Sequence, residues 1–323
     1  MRIAVVKPDH LGDLVLASAA INYLTSLGIQ LTLYIASKNI ALSNYLFPDI
    51  EKKPLDVPHL SKGEIPMVDY NWENLADDLR QYDHAVFLRG DLFMAHTARL
   101  LGNKAVIISD NDSRHETRLH HDAIQRIWGD YVRPKHHFTK FSERNFGNSG
   151  KVGFCIAAGY AGNVMPEFFW KTLIDKYIVT GCTPYLIGGP GELDSINNLS
   201  EVLELNSDQI LIGSNDFLFL NQISKLDFLF ATDSGTAHLC ALSAPVISFF
   251  GGSPYRRYAP FGTCNKIITK DYFCSPCCQF NPEGLNLCLT RHCLHSMMAS
   301  DVWNLVEKNK HDDLIMINTE QIL

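Results

Sequence analysis

The chain has 323 residues, 46% of them hydrophobic and 20% charged, with a formal net charge of −7. This is a globular composition with room for a large core and for two domains of ordinary size. The acidic balance argues against a general nucleic-acid binder. No apolar run approaches bilayer-spanning length, and the N-terminal apolar stretch is too short for a signal peptide, so the chain reads as cytosolic.

The pattern predicts a strand at RIAVVK (2–7), a loop, an apolar helix ending near Gly28, and a strand at QLTLYIA. Strands at DHAVFL (83–88) and KAVIIS flank a helical FMAHTARLLG. Strands alternating with helices imply a parallel sheet covered on both faces. A second series begins near residue 151 with the strand KVGFCIAAG. PEFFWKTLIDKYIVTG follows, a helix with a Pro start and a Gly stop. Then come strands TPYLIGG and QILIG, a helix DFLFLNQISKL, and the series FLFAT, SGTAHLCALS, APVISFFG. The pattern restarts, so two α/β domains are expected, 1–148 and 149–323, joined near NFGNSGK (145–151). Ligands of such folds bind where strand C-terminal ends and helix N-termini converge.

Between FLFAT and the helix after it stands a polar knot, Thr232-Asp233-Ser234-Gly235-Thr236. Free backbone N–H groups there attract phosphate. Gly235 lets backbone approach a ligand closely, and Ser234, Thr236 and His238 add donors. Asp233 suits sugar hydroxyls better than phosphate. The competing reading is plain helix capping by Asp233 or Ser234.

Nine cysteines occur, five of them between residues 274 and 293. Cys274 and Cys277 form C-x-x-C, and Cys288 and Cys293 follow as a second pair. Four thiolates in two close pairs suit a tetrahedral zinc or iron site, with Cys278 spare or replacing Cys277. Reduced thiols packed under the helix SDVWNLVEK, or disulfides, are the alternatives.

DSGTAHLCALSAPVISFFGGSPYRRYAPFG (233–262) resembles the donor segment of glycosyltransferase family 9, the ADP-heptose:lipopolysaccharide heptosyltransferases. HLGDLVLASAAINYL (10–24) resembles the N-terminal loop and helix of that family. YDHAVFLRGDLFMAHTARLLG (82–102) and YLIGGPGELD (185–194) are similar to later units, so the resemblance covers most of the chain. It implies a GT-B fold, two Rossmann-like domains facing a central cleft. It also implies inverting transfer of a sugar, heptose first, from a nucleotide-diphosphate donor, ADP-heptose first. The implied acceptor is a lipopolysaccharide core or related anionic glycan or glycolipid at the inner face of the inner membrane. A different nucleotide sugar, a protein (autotransporter) acceptor, or a non-catalytic, metal-stabilised binding protein are the alternatives.

Asp13, preceded by Gly12, is the candidate base, and the resemblance implies the same role; its alternative is a helix cap. The donor set expected on this resemblance is Asp233, Ser234, Gly235, Thr236, His238, Glu192 for ribose hydroxyls, and Asn163. Where the family carries a lysine held to bind donor phosphates, this chain has Asn163 or Val164; Arg256 or Arg257 is the candidate substitute. The acceptor set is Gly12, Arg89, Asp91, Arg114 and Arg118, extended by the basic stretch holding Arg133 and Lys135. Asp91 is equally a turn residue, Arg89 equally its ion-pair partner, and the 114–118 segment equally a surface helix. No DxD-type motif stands in a suitable loop, so no cofactor is expected for the chemistry. Cysteines are frequent in this segment of the family, and a branch that modifies autotransporters binds iron through such a cluster at a different spacing.

Overall fold

The computed structural model describes residues 1–60, 71–109, 112–129, 150–213, 217–262, 264–277, 288, 290–308 and 314–322. The chain divides into two compact units, Met1–His137 and Phe138–Leu323. The junction expected at 145–151 lies almost wholly outside the described residues, as do Arg133 and Lys135.

In the first unit, β1 (Arg2–Lys7), β2 (Gln30–Ile35), β3 (Glu51–Pro54), β4 (His84–Phe87) and β5 (Ala105–Ile107) form one sheet in the order β3-β2-β1-β4-β5. Every pairing is parallel. β1 is central and buried from Ile3 onward, as parallel strands covered on both faces are. The connecting helices are α1 (Leu11–Ser26), α2 (Ile40–Leu46), α3 (Trp72–Leu79), α4 (Leu92–Leu101) and α5 (Glu116–Trp128). α1 is apolar around most of its circumference, and Leu14, Ala17, Ala20 and Ile21 are completely buried. α3 and α4 close the face that carries Ala4, Val6 and Phe87.

The second unit holds β6 (Lys151–Cys155), α6 (Glu167–Val179), β7 (Thr183–Gly188), α7 (Leu193–Val202), β8 (Ile210–Ile212), α8 (Phe217–Ile223), β9 (Phe228–Thr232), α9 (Gly235–Cys240), β10 (Val246–Phe250), α10 (Tyr255–Tyr258), β11 (Lys266–Lys270) and β12 (Leu314–Asn318). Its sheet has seven strands in the order β12-β11-β10-β9-β6-β7-β8. All pairs are parallel except β11 with β12. Phe154, Phe230 and Phe249 of the sheet form an aromatic core with Phe169, Trp170 and Tyr177 of α6, and the helix Ala299–Lys308 packs on the same cluster. Phe230 and Phe249 stack with ring centroids 5.9 Å apart.

Three strands escape the sequence pattern. β3 reads EKKP, a polar edge strand ending in proline, with no apolar alternation to announce it. β11 is short and flanked by lysines, and β12 pairs antiparallel at the sheet edge with a mixed burial pattern. The helix expected over 234–243 spans only six residues, so little macrodipole accumulates there.

Candidate active site

In both sheets the strand order reverses at one point, between β1 and β4 in the first unit and between β6 and β9 in the second. Connections leave such neighbours in opposite directions, and the gap between their C-terminal loops is where α/β sheets hold ligands. The candidate residues gather at these two points.

At the first, β1 ends in Lys7 and the loop Pro8–His10 leads into α1. Asp13 lies in the first turn of α1 and is part-buried. The N-cap is His10, without a side-chain cap hydrogen bond, so the cap role weighed for Asp13 finds no support in the geometry. Gly12 beside it is buried. Lys7 is 2% exposed; its Nζ donates to Leu88 O at 2.7 Å and lies 3.4 Å from Asp9 Oδ2. Across the strand gap, Arg89 Nη1 reaches Asp9 Oδ1 at 2.5 Å and its Nε pairs with Asp91. Asp91 caps α4, accepting from Phe93 N and Met94 N at 2.9 Å each, and takes His59 Nε2 at 2.8 Å. Arg89 and Asp91 thus hold each other and the sheet gap, the structural alternatives in the sequence reading.

Electrostatics separates these carboxylates. Burial raises the Asp13 carboxyl, the negative Asp9 and Glu116 raise it further, and Lys7 opposes them, leaving it at about 6. Burial would likewise raise Asp91, but His59, Arg89 and the Met94 N–H together hold it well below the usual range. Asp9 is also lowered: Lys7 and Arg89 outweigh its burial.

α5 carries Arg118 but begins at Glu116, so Arg114 precedes its N-cap His115 instead of sharing a helix face with Arg118, and α5 is not a plain surface helix. Arg114 pairs with Asp112 and Asp122 at 2.6 Å each, and Arg118 Nε lies 3.4 Å from Asp122. The opposite face of α5 is buried against α1: Glu116 is 3% exposed and Thr117 and His120 fully enclosed. Thr117 Oγ1 donates to Leu16 O at 3.2 Å. Lys7, Asp9 and Glu116 carry no expectation from the sequence, and His120, expected with His115 and His121 on a surface helix or an anionic-acceptor patch, is fully enclosed. The available signals were a lysine ending a buried strand and the i,i+4 pair Glu116 and His120.

At the second reversal, β6 leads to Asn163 and β9 to Asp233. Asn163 is 2% exposed. Its Nδ2 donates to Asp233 Oδ2 at 3.1 Å, Asp233 O at 3.2 Å and Ser253 Oγ at 3.2 Å. Burial raises the Asp233 carboxyl to about 6 against the pull of Ser253 and Asn163. Ser234 is the N-cap of α9, accepting from Ala237 N at 3.2 Å. Gly235 and Thr236 open the helix, part-buried, and His238 is 5% exposed. Glu192 folds back on its own loop, accepting from Gly189 N at 2.8 Å. Arg257 is buried with its guanidinium over Tyr258, and Arg256 is exposed beside Tyr255.

The four cysteines line one cavity of about 70 Å³ together with His292, Tyr272 and Gly252. Burial pushes the Cys293 thiol up to about 11, and Cys277, Cys274 and Cys288 add to that. Cys277 N donates to Gly252 O at 3.1 Å and Ser275 Oγ to Gly251 O at 2.5 Å. Among the described residues no three His, Cys, Asp or Glu side chains converge as ligands of one ion. The donor set is soft and confined to one pocket, which fits zinc or iron in kind. Cys278 lies outside the described residues.

The sequence matches glycosyltransferase family 9 (heptosyltransferase) over residues 113–284. No curated protein matches it. Among solved structures, the chain is similar to the E. coli heptosyltransferase WaaC with ADP: TM-score 0.66, 16% identity, covering 96% of this chain and 100% of that one. It is similar to E. coli ADP-heptose lipopolysaccharide heptosyltransferase II, with TM-score 0.59, 17% identity, and 95% and 100% covered. The iron-containing dodecameric glycosyltransferase TibC from enterotoxigenic E. coli gives TM-score 0.58, 13% identity, and 95% and 75% covered. These likenesses identify the architecture as GT-B, two Rossmann-like domains.

Proposed function

The chain belongs to glycosyltransferase family 9, the heptosyltransferases, and from that premise we propose how its residues move the sugar. The protein is a glycosyltransferase that takes a heptosyl group from a nucleotide-sugar donor. ADP-heptose is the donor we assign, because similar structures hold ADP and an ADP-heptose analogue. A lipopolysaccharide core or related anionic glycan at the inner membrane face is the acceptor. No described helix is long and apolar enough to cross a membrane, so contact with a lipid-linked acceptor would be peripheral.

Asp13 is the base. Its carboxylate takes the acceptor hydroxyl proton as that oxygen attacks the anomeric carbon opposite the diphosphate. The carbon–oxygen bond to the diphosphate breaks, and ADP leaves with the electron pair, inverting the anomeric configuration. A diphosphate is already a good leaving group, so one positioned base is the main demand on the protein. The observation that supports this is the Asp13 carboxyl held at about 6 in a helix first turn at a strand-order reversal. A base poised near the operating pH works best, since it is both mostly deprotonated and still basic.

The donor set is Asp233, Ser234, Gly235, Thr236 and His238. Asn163 acts here by orienting Asp233, whose carboxylate is suited to sugar hydroxyls, and Glu192 shapes the 189–192 loop. Gly12, Arg114 and Arg118 belong to the acceptor side, the two arginines supplying the positive charge that their pairs with Asp112 and Asp122 leave, while Arg89 and Asp91, expected there from the sequence too, brace the loops beside Asp9. Cys274, Cys277, Cys288 and Cys293 would hold a structural zinc or iron beside Gly252, whose carbonyl accepts from Cys277 N. The experiment that tests the reading is Asp13→Asn: transfer should be lost while ADP binding by calorimetry is kept.

A further inference from the structure

Asp233 is held beside two loops that both back onto the cysteine pocket. Gly162 and Gly252 line that pocket. The residues that follow them, Asn163 and Ser253, meet with Nδ2 at 3.2 Å from Oγ. Asn163 is 2% exposed and Ser253 3%.

Hydrogen-bond arithmetic gives Ser253 a task of its own. The Asn163 amide has two N–H donors and one acceptor oxygen. The main-chain O and the ionised carboxylate of Asp233 can only accept, and Asp233 O and Oδ2 lie 3.2 and 3.1 Å from Asn163 Nδ2. Those two bonds use both amide hydrogens. The Ser253 hydroxyl then donates to Asn163 Oδ1 at 3.3 Å, and among the described residues no other donor reaches that oxygen. Without it a buried amide oxygen stands unpaired. The amide also loses the bond that keeps its nitrogen end on Asp233.

Ser253 is itself seated by the cysteine segment. Ser275 Oγ donates to Gly251 O at 2.5 Å, and Cys277 N to Gly252 O at 3.1 Å. Gly251 is packed so closely that a Cβ there would lie 2.7 Å from both Cys293 Sγ and Leu294 Cγ. The short helix His292–His295 holds the Asn163 loop as well, with His295 Nε2 donating to Val164 O at 3.1 Å.

We infer that Ser253 is a positioning residue of the donor site, through which the cysteine-bearing segment 275–277 sets the orientation of Asn163 and Asp233. The inference rests on Asp233 being a donor-binding residue. Ser253 touches no reacting atom; it acts through the amide it holds.

The test is ADP binding by calorimetry, with circular dichroism as the check on folding. The variants are Ser253→Ala, Ser253→Thr, Ser275→Ala, the double variant Ser253→Ala, Ser275→Ala, and Asp233→Asn. Ser253→Ala should weaken ADP binding about fivefold or more, and Ser253→Thr, which keeps the oxygen, should recover most of that loss. Ser275→Ala, which loses the bond to Gly251, should weaken ADP binding about two- to threefold alone and add nothing in the Ser253→Ala background, because residues acting through one contact are not additive. ADP affinity unchanged in folded Ser253→Ala, or two effects that add in full, overturns the inference. Asp233→Asn separates this from the donor-site reading: if it weakens ADP binding while Ser253→Ala does not, the inference alone fails, and if neither does, the donor site lies elsewhere and both fail. If Ser253→Ala is unfolded, Ser275→Ala decides, and a wild-type affinity there overturns the inference.

Discussion

The side-chain amide of Asn163 donates to the carboxylate of Asp233 at 3.1 Å, linking the loop after β6 to the loop after β9. Asn163→Ala removes that donor and leaves a largely buried carboxylate with Ser253 as its remaining side-chain partner. Loss of one such bond costs about 1–3 kcal/mol. ADP affinity by calorimetry should fall about tenfold or more, with melting temperature lowered. Unchanged affinity would show that Asp233 takes no part in donor binding.

Asp13→Asn keeps the shape of the side chain and removes the base. Turnover should fall by roughly 10²–10⁴ with donor affinity intact. Proton NMR of the product should show the anomeric configuration inverted relative to the donor. A retained configuration rules out direct displacement with a single base.

Asp91 gives a stability prediction with a definite sign. Its folded carboxyl sits below the unfolded value, so the folded state binds fewer protons near pH 4. Its contribution is therefore complete above the ordinary aspartate range and lost as pH falls below it. Asp91→Asn should destabilise the protein at pH 7, and the difference from wild type in urea denaturation should shrink as pH drops below about 4. A difference independent of pH would mean that capping of α4 alone matters.

The cysteine pocket predicts about one equivalent of zinc or iron per chain in protein purified without chelators. Stripping the metal should lower the melting temperature, because ligand binding and folding share one free energy. Cys293→Ser should do the same. Metal below about a tenth of an equivalent, with every thiol titratable in the native state, would leave the pocket as packed thiols.

Arg114 and Arg118 face two carboxylates already, so their value to an anionic acceptor is what remains after those pairs. The double variant Arg114→Ala, Arg118→Ala should raise KM for the acceptor and flatten its salt dependence, with kcat little changed. The salt effect arises because exposed charges are screened beyond about 8 Å at physiological ionic strength. An acceptor KM identical to wild type at low salt would move the acceptor surface elsewhere.

Much of this was legible beforehand. Strand–helix alternation and the restart near residue 151 led to two parallel-sheet units because buried strands such as VISFF and FLFAT announce themselves by apolar runs. The knot at 232–236 was visible as polarity between two apolar elements. Asn163 stands out in the sequence as the residue where the family carries a lysine, while its bonds to Asp233 and Ser253 depend on residues 70 and 90 positions away. The buried Lys7–Asp9 pair and its Arg89 partner are hidden for the same reason. A buried charge looks like a solvated one until the elements that cover it are known. α5 read as a surface helix because its arginines are on the surface and its histidines, charged in no obvious pattern, are not.

The central pairings of both sheets have a kinetic consequence. Ile3 pairs with His84 across β1 and β4, and Val152 with Phe228 across β6 and β9. Each pairing closes a long loop before its contacts are gained, which slows folding. Until β4 and β9 arrive, β1 and β6 each offer an apolar strand with an open edge, the kind of surface on which nascent chains aggregate. The same two junctions that gather the charged and polar site residues are therefore closed by pairings between residues 81 and 76 positions apart, and lowered growth temperature or added chaperone should raise the soluble yield of this chain.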